Sequence, residues 1–308
     1  ERLRFALGYA VLAPSSHNSQ PWHFVVQERS VLVCADRTRA LPVVDPLDRE
    51  LVISCGAALF NLRVALSQFG ETYRIATFPY SADRDVLAEV FLESEGYKDP
   101  SLAGLFDAMR ARVTNRVDFE PVPVALELQD EMRKAAAEEG AGLACLESEE
   151  LRNRAAELVA EADRMQFADN RFRRELASWM HGSRKDDGMP AYARSVGPLL
   201  DAATPLVSSV IRTFDVGSGA AASHRRLVQG SPLLLSLGTA ADNAENWLYA
   251  GQALERVLLL AARAGLSASY LNQAVEVPEL RLRLHQLASA EAYPQILLRL
   301  GKGKPAPH

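Results

Sequence analysis

Leu51-Val-Ile-Ser-Cys-Gly-Ala-Ala-Leu-Phe-Asn-Leu-Arg-Val-Ala-Leu-Ser-Gln-Phe-Gly70 reads as one long apolar helix that stops at a glycine. The same grammar returns near the other end of the chain, in Asn246-Trp-Leu-Tyr-Ala-Gly-Gln-Ala-Leu-Glu-Arg-Val-Leu-Leu-Leu-Ala-Ala-Arg-Ala-Gly265. The two stretches align without a gap. Gly56, Ala58, Leu59, Val64 and Gly70 match Gly251, Ala253, Leu254, Leu259 and Gly265. Small residues at matched places imply two helices with equally close neighbours. An internal duplication explains this pattern, and the chance likeness of apolar helices ending in glycine is the alternative.

Outward from the first helix, apolar spacing at Leu3, Leu7, Ala10 and Val11 predicts an opening helix that stops before Pro14. A polar loop, Pro14-Ser-Ser-His-Asn-Ser-Gln-Pro-Trp22, leads into His23–Val26 and Ser30–Cys34, two strands expected to pair as a hairpin around Gln27–Arg29. Ahead of the second helix, Leu233–Leu237 reads as a buried strand. Between the two copies lie Arg112-Val-Thr-Asn-Arg116, a Pro-containing link at Pro121 and Pro123, a charged helix from about Leu126 to Glu139, and a strand at Leu143–Leu146. Residues 151–185 have amphipathic spacing rich in Arg and Glu. Residues 186–230 are rich in Gly, Pro and Ser, and such irregularity inside a compact chain suggests a lid or insertion.

The 308 residues carry 34 Lys and Arg against 39 Asp and Glu, so no basic excess points to nucleic acid. The richest apolar run, Leu254–Leu266, is broken by Arg256 and Arg263 and falls short of the ~20 residues that span a bilayer. The expected partners are therefore small molecules, with no nucleic acid and no membrane. Cys34, Cys55 and Cys145 stand far apart with no CxxC, which argues against a disulfide scaffold or zinc finger and for a cytoplasmic setting.

Three groups of residues could carry chemistry. The loop Ser15–Gln20 offers hydroxyls, an imidazole and two amides without net charge, a set suited to a planar heteroaromatic ring or a phosphate edge. A serine hydrolase built on Ser16 and His17 lacks a GxSxG elbow, and His17 and His23 lack spaced partners for a metal. Cations form the second group: Arg110, Arg112 and Arg116 flank Thr114 and Asn115, Arg225 and Arg226 precede Gly230-Ser-Pro232, and Arg299, Lys302 and Lys304 close the chain. The planar fork of Arg donates parallel hydrogen bonds to phosphate, although each such group alone is usually solvated surface charge. In the third group, Gly217-Ser-Gly-Ala-Ala-Ala222 comes close to a dinucleotide fingerprint. The helix expected after it is short, and Asp242 falls beyond the strand rather than at its tip, so a flexible Gly/Ser loop is the plainer reading.

Pro14-Ser-Ser-His-Asn-Ser-Gln-Pro-Trp-His-Phe24 resembles the signature loop of the FMN-dependent nitroreductase family, and Arg112-Val-Thr-Asn-Arg116 with Phe119 is similar to that family's phosphate motif. Ordinary members carry both motifs in a half-length chain, phosphate motif first, and form intertwined homodimers with flavin at the interface. Here the order is reversed and the long helix occurs twice, which resembles the fused, single-chain Acg-like branch. The resemblance covers about residues 10–75, 110–120 and 226–303.

It implies an α/β (α+β) fold, a mixed sheet flanked by helices, in two related halves, residues 1–110 and 111–308, with a lid or insertion at about 165–228. It implies one non-covalent FMN per chain. Ser15, Ser16, Asn18 and Gln20 would approach the flavin from the first half. Arg112, Asn115 and Arg116 would hold its phosphate, Arg226 would lie near the ring edge, backbone around Leu271, Asn272 and Gln273 would face N5, and Arg299 and Lys302 would complete the anion site. The chemistry then belongs to the flavin, and no side-chain nucleophile or acid–base pair is required. The implied activity is ping-pong reduction of a nitroaromatic, quinone or similar acceptor by NAD(P)H, in a monomer acting as a pseudo-dimer or in a further homodimer. The alternative is an FMN-sequestering or sensing protein whose lid covers the flavin. Trp179, Met180 and Met189 stand beside the helix breakers and would either cover the flavin or plug a helix end into the core.

Overall fold

A computed structural model describes residues 2–93, 99–180, 186–189, 204–288 and 292–303. After α1 (Arg2–Ala10) come β1 (Trp22–Val26), β2 (Ser30–Ala35), α2 (Arg49–Gln68), β3 (Thr72–Thr77) and β4 (Val86–Glu93). The four strands form one antiparallel sheet in the order β1-β2-β4-β3. Two short helices, α3 (Pro100–Ala103) and α4 (Ala108–Ala111), lead out of it.

The second part contains α5 (Leu126–Glu138), β5 (Gly142–Cys145), α6 (Glu149–Ala168), α7 (Asn170–Ser178), α8 (Thr204–Thr213) and α9 (Gly217–Gln229). It continues with β6 (Leu233–Thr239), α10 (Ala244–Arg263), β7 (Ser267–Tyr270), α11 (Gln273–Glu276), α12 (Pro278–Ala288) and β8 (Tyr293–Gly301). Its sheet runs β5-β6-β8-β7 with antiparallel ladders. The strand order repeats that of the first sheet, and in both the long helix joins the second strand to the third. A parallel bridge, Thr114 to Ala268, brings the Arg112–Arg116 stretch onto the edge of the second sheet.

The two parts differ between their first and second strands. In the first, the turn between β1 and β2 spans only residues 27–29; in the second, α6 to α9 fill the corresponding place between β5 and β6. The segment is more regular than its composition suggests. Gly217-Ser-Gly219 forms the first turn of α9 rather than a loop, because Ala220–Gln229 supplies enough helix-forming and apolar residues to carry it. Along α6, Ala155, Ala156, Leu158, Val159 and Ala162 bury the face turned toward α9 and the sheet.

Alternation along the strands explains the layering. Leu233, Leu235 and Leu237 face the main core with Ile296, Leu298 and Leu300, while Leu234 and Leu297 face a second core under α6, α11 and α12. The second sheet is thus buried on both faces, and α2 and α10 lie between the two sheets. Gly56 and Gly251, matched in the sequence alignment, touch one another there: a Cβ added to Gly251 would lie 2.8 Å from the Gly56 Cα, and one added to Gly56 would lie 3.0 Å from the Gly251 Cα. The Arg49–Gln68 helix is apolar and long enough to cross a membrane, but nearly all of it is buried inside the protein. All three cysteines are free.

Candidate functional site

The polar loop before β1 is held in an uncommon shape. His17, Asn18 and Gln20 all have positive φ (55°, 53° and 50°), a region that costs a non-glycine residue free energy unless its surroundings hold it. Ser15 Oγ accepts from Gln20 N at 2.9 Å and closes the turn. Ser16 Oγ donates to the buried Glu50 at the start of α2. Glu50 also accepts from Arg49 at 3.0 Å and from Asn272 Nδ2 at 3.2 Å. Asn272 in turn accepts from Leu297 N on β8 at 3.2 Å, and Arg49 reaches Gln295. A continuous network therefore joins the first-half loop to the second-half segment Leu271–Gln273.

Residues 186–189 sit on the same loop. Asn18 Nδ2 donates to Gly188 O and Gly188 N donates back to Asn18 O, both at 3.1 Å. Gln20 Nε2 donates to Asp186 O, and Arg39 bridges Ser19 O (2.9 Å) and Asp187 (3.1 Å). Met180 and Met189 are buried in a third apolar cluster with Leu41, Val44, Phe167, Phe172 and Leu176. These methionines fill core beside the loop, as the plug reading expects. Residues 181–185 and 190–203 lie outside the described residues, as does Lys304.

The cations converge on a second place, around residues 112–120. Asn115 N donates to Ala268 O at 2.8 Å, fixing this stretch beside β7. Arg299, only 1% exposed, donates to Val117 O at 2.7 Å and to Asn115 O at 3.4 Å and stacks on Phe119 with 4.2 Å to the ring centroid. Burial lowers its pKa to about 10, because the charged form loses water. Arg116 is also shifted down by burial. Arg226 on α9 lies 3.4 Å from Asp118, and Lys302 lies 3.5 Å from Glu120, both largely exposed. Gly303 has no room for a side chain: a Cβ would lie 2.7 Å from Asn115 Nδ2.

Arg112 departs from this group. It donates to Leu12 O at 3.1 Å, and its Nε lies 3.7 Å from Glu255, a fully buried acid on α10 with the Asn61 side chain beside it. Burial pushes the Glu255 carboxyl up to about 7 against the lowering effect of Arg112. Tyr270, whose buried hydroxyl has no hydrogen-bond partner among the described residues, is also shifted up by burial. Asp45 beneath the signature loop is raised to about 6, by burial first and by Glu50 next.

No family model matches the chain. Near-full-length relatives decide the question. The chain is 31% identical over 303 residues to a Mycobacterium tuberculosis protein named "Putative NAD(P)H nitroreductase", covering 98% of this chain and 85% of that one. The chain belongs to the nitroreductase family. A second M. tuberculosis relative, "Putative NAD(P)H nitroreductase acg", is 26% identical over 97% of this chain and 88% of its own length, which fits the Acg-like branch. "Probable NAD(P)H nitroreductase PigM" of Serratia is 26% identical over 98% of this chain and 88% of its own. Among solved structures, iodotyrosine deiodinase bound to FMN and 3-iodo-L-tyrosine aligns with 66% of this chain and 92% of its own at 15% identity and a TM-score of 0.43. The FMN-dependent nitroreductase NfnB of Mycobacterium smegmatis aligns with 66% and 89% at 13% identity and a TM-score of 0.41.

This nitroreductase-family chain has a donor set that fits an FMN phosphate. Arg299 is a buried cation that donates to two backbone carbonyls, stacks on an aromatic face and feels the charge of Asp118, and Arg226 and Lys302 are held by single exposed acids that an anion can replace. On the ring side, the groups of Ser16, Asn18 and Gln20 are engaged by Glu50 and by residues 186–188. β7 and β8 tie the two sides together: Asn115 bonds Ala268, four positions before Asn272, and Leu297 and Arg299 are two positions apart on β8. Sequence reasoning missed Glu50, Glu255 and Tyr270. The available signal was an acid at the mouth of one apolar helix and another inside its counterpart.

Proposed function

We propose that this protein binds one FMN per chain, non-covalently, and transfers electrons from NAD(P)H to a nitroaromatic, quinone or similar acceptor. The observation that carries the reading is the convergence of Asn115, Arg116, Arg226, Arg299 and Lys302 on one loop beside β7 and β8, in a chain with near-full-length relatives named as NAD(P)H nitroreductases. Arg116, Arg226 and Lys302 would neutralise the phosphate, while Arg299 and Asn115 shape the loop that receives it. Arg112, committed to Leu12 and Glu255, supports the loop from behind. The backbone of Leu271, Asn272 and Gln273 and the loop of Ser15, Ser16, Asn18 and Gln20 would border the ring from the two halves. When bound, FMN supplies the hydride chemistry. The chain's share is to hold charge at the phosphate, orient the ring edge and exclude water.

The test is the visible spectrum of the purified protein together with the flavin released by heat. One equivalent of FMN is expected; FAD, or two flavins per chain, refutes the reading. A second reading, an FMN-holding protein with poor turnover, is favoured by the hold of residues 186–188 on Asn18, Gln20 and Arg39. Anaerobic NADPH separates the two: an enzyme's bound flavin bleaches within the turnover time, whereas a reservoir's stays yellow.

A further inference from the structure

α9 and α6 place one more chemically competent group beside this site. His224 Nδ1 lies 2.8 Å from Asp163 Oδ2, and Gln273 Nε2 lies 3.3 Å from Asp163 Oδ1 and 3.1 Å from His224 Nδ1. The Asp163 side chain is 1% exposed and that of His224 is 26% exposed. An ionised carboxylate only accepts hydrogen bonds and an amide nitrogen only donates them, so with the Nδ1 proton of His224 on Asp163 Oδ2, Gln273 bonds Asp163 Oδ1 rather than the ring, and Nε2 is the ring nitrogen turned away from Asp163. A buried acid orienting a partly open imidazole is an arrangement suited to general acid–base work.

Pinning α9 to α6 would by itself require only the Asp163 contact. One further fact ties His224 to the candidate site: Gln273, in contact with His224, directly follows Leu271 and Asn272, the stretch that borders the proposed ring position and bonds Glu50.

We propose that His224, positioned by Asp163 and Gln273, is the proton donor to the reduced acceptor. The inference rests on the FMN reading above. With a quinone as acceptor, bound reduced FMN would supply the hydride, two electrons in all, and the quinone would be left as a hydroquinone monoanion. The imidazolium Nε2–H bond breaks, an O–H bond forms on the phenolate oxygen, and neutral His224 regains its proton from solvent. The net reaction consumes NADPH, a proton and the quinone, and yields NADP+ and the hydroquinone.

The test uses the FMN-loaded protein, reduced anaerobically and mixed with menadione in a stopped-flow instrument. His224→Ala is expected to slow flavin reoxidation by about 10²- to 10⁴-fold while leaving FMN content and the rate of flavin reduction by NADPH unchanged. Added imidazole should restore part of the loss, which repairing a purely structural contact would not do. His224→Gln, whose amide can still bond Asp163, serves as the variant that keeps the helix packing and should be equally slow. Reoxidation at the parent rate in both variants overturns the proposal. Independently of flavin, nitrogen NMR of labelled histidine should show Nδ1 protonated, and Asp163→Asn should change that tautomer balance; an unprotonated Nδ1 overturns it as well. A chain that takes up no FMN defeats the cofactor reading and the proton-donor role with it, while the tautomer result still stands or falls separately.

Discussion

Replacing Gly251 by Ala tests whether the two long helices define the fold. In an isolated helix the change is favourable, by about 1 kcal/mol of propensity. At this crossing the new methyl would overlap the Ile53 carbonyl oxygen and lie 2.8 Å from the Gly56 Cα and 2.9 Å from Ala57 N, all of them backbone that no rotamer can clear. The helices would have to part by roughly an ångström, and a gap of that size forfeits a quarter to a half of each dispersion contact along the seam. Overpacking in cores ordinarily costs about 1–3 kcal/mol. With backbone on both sides the cost falls at the upper end, and a net loss of about 2 kcal/mol is expected after the propensity gain. Gly219 on α9 is the internal control. Nothing lies within 4 Å of its added Cβ, so Gly219→Ala should be neutral or stabilising by up to about 1 kcal/mol. Urea unfolding of the two variants and the parent, followed by far-ultraviolet circular dichroism, makes the comparison. If Gly251→Ala is as stable as Gly219→Ala, the close α2–α10 crossing is not a feature of the protein.

Other outcomes follow from the buried charges and the core. Glu255 has its carboxyl raised to about 7 in the folded state, so the folded chain binds its proton more tightly than the unfolded chain. Its contribution is therefore present below about pH 4.5 and lost as pH rises through 7, worth about 3 kcal/mol; Glu255→Gln should flatten the stability profile across that window, and an unchanged slope counts against the burial. Met180→Ala should lower stability by about 2–5 kcal/mol, since Met180 is buried against Leu41 and Phe172 in the cluster beside the signature loop; a loss below 0.5 kcal/mol (roughly the scatter of surface substitutions) would mean the side chain is not core. Arg116→Ala with Lys302→Ala should weaken FMN by several kcal/mol, at about 1.5–3 kcal/mol per charge-assisted hydrogen bond. Riboflavin, lacking the phosphate, should bind parent and double variant alike, and equal FMN affinity would remove these cations from the site.

The long helices were legible because a 20-residue apolar run ending in glycine has few other solutions. The β1–β2 hairpin, α5, β5 and β6 lie close to where alternation and punctuation put them. β3, β4 and β7 were not anticipated, because strand preference depends on the neighbours a strand packs against more than on its own residues. The family resemblance was carried by local words, the Pro14–Phe24 loop and Arg112–Arg116, which survive in the sequence whatever the fold does with them.

Side-chain direction belongs to the tertiary structure. Arg112 and Arg116 stand in the same short motif, yet one turns to Leu12 and to Glu255 on α10 while the other loses water to burial in the neighbourhood of Tyr270 on β7. Gly217-Ser-Gly219 reads as a loop in isolation and becomes helix because α9 packs along α6. The pairing of His224 with Asp163 and Gln273 unites residues from three helices, and no spacing along the chain announces it. Periodicity and local motifs act over a few residues and can be read from sequence. The orientation of a cation or the partner of a histidine is fixed by groups distant in the chain, and these become neighbours only when burial of the apolar faces brings them together.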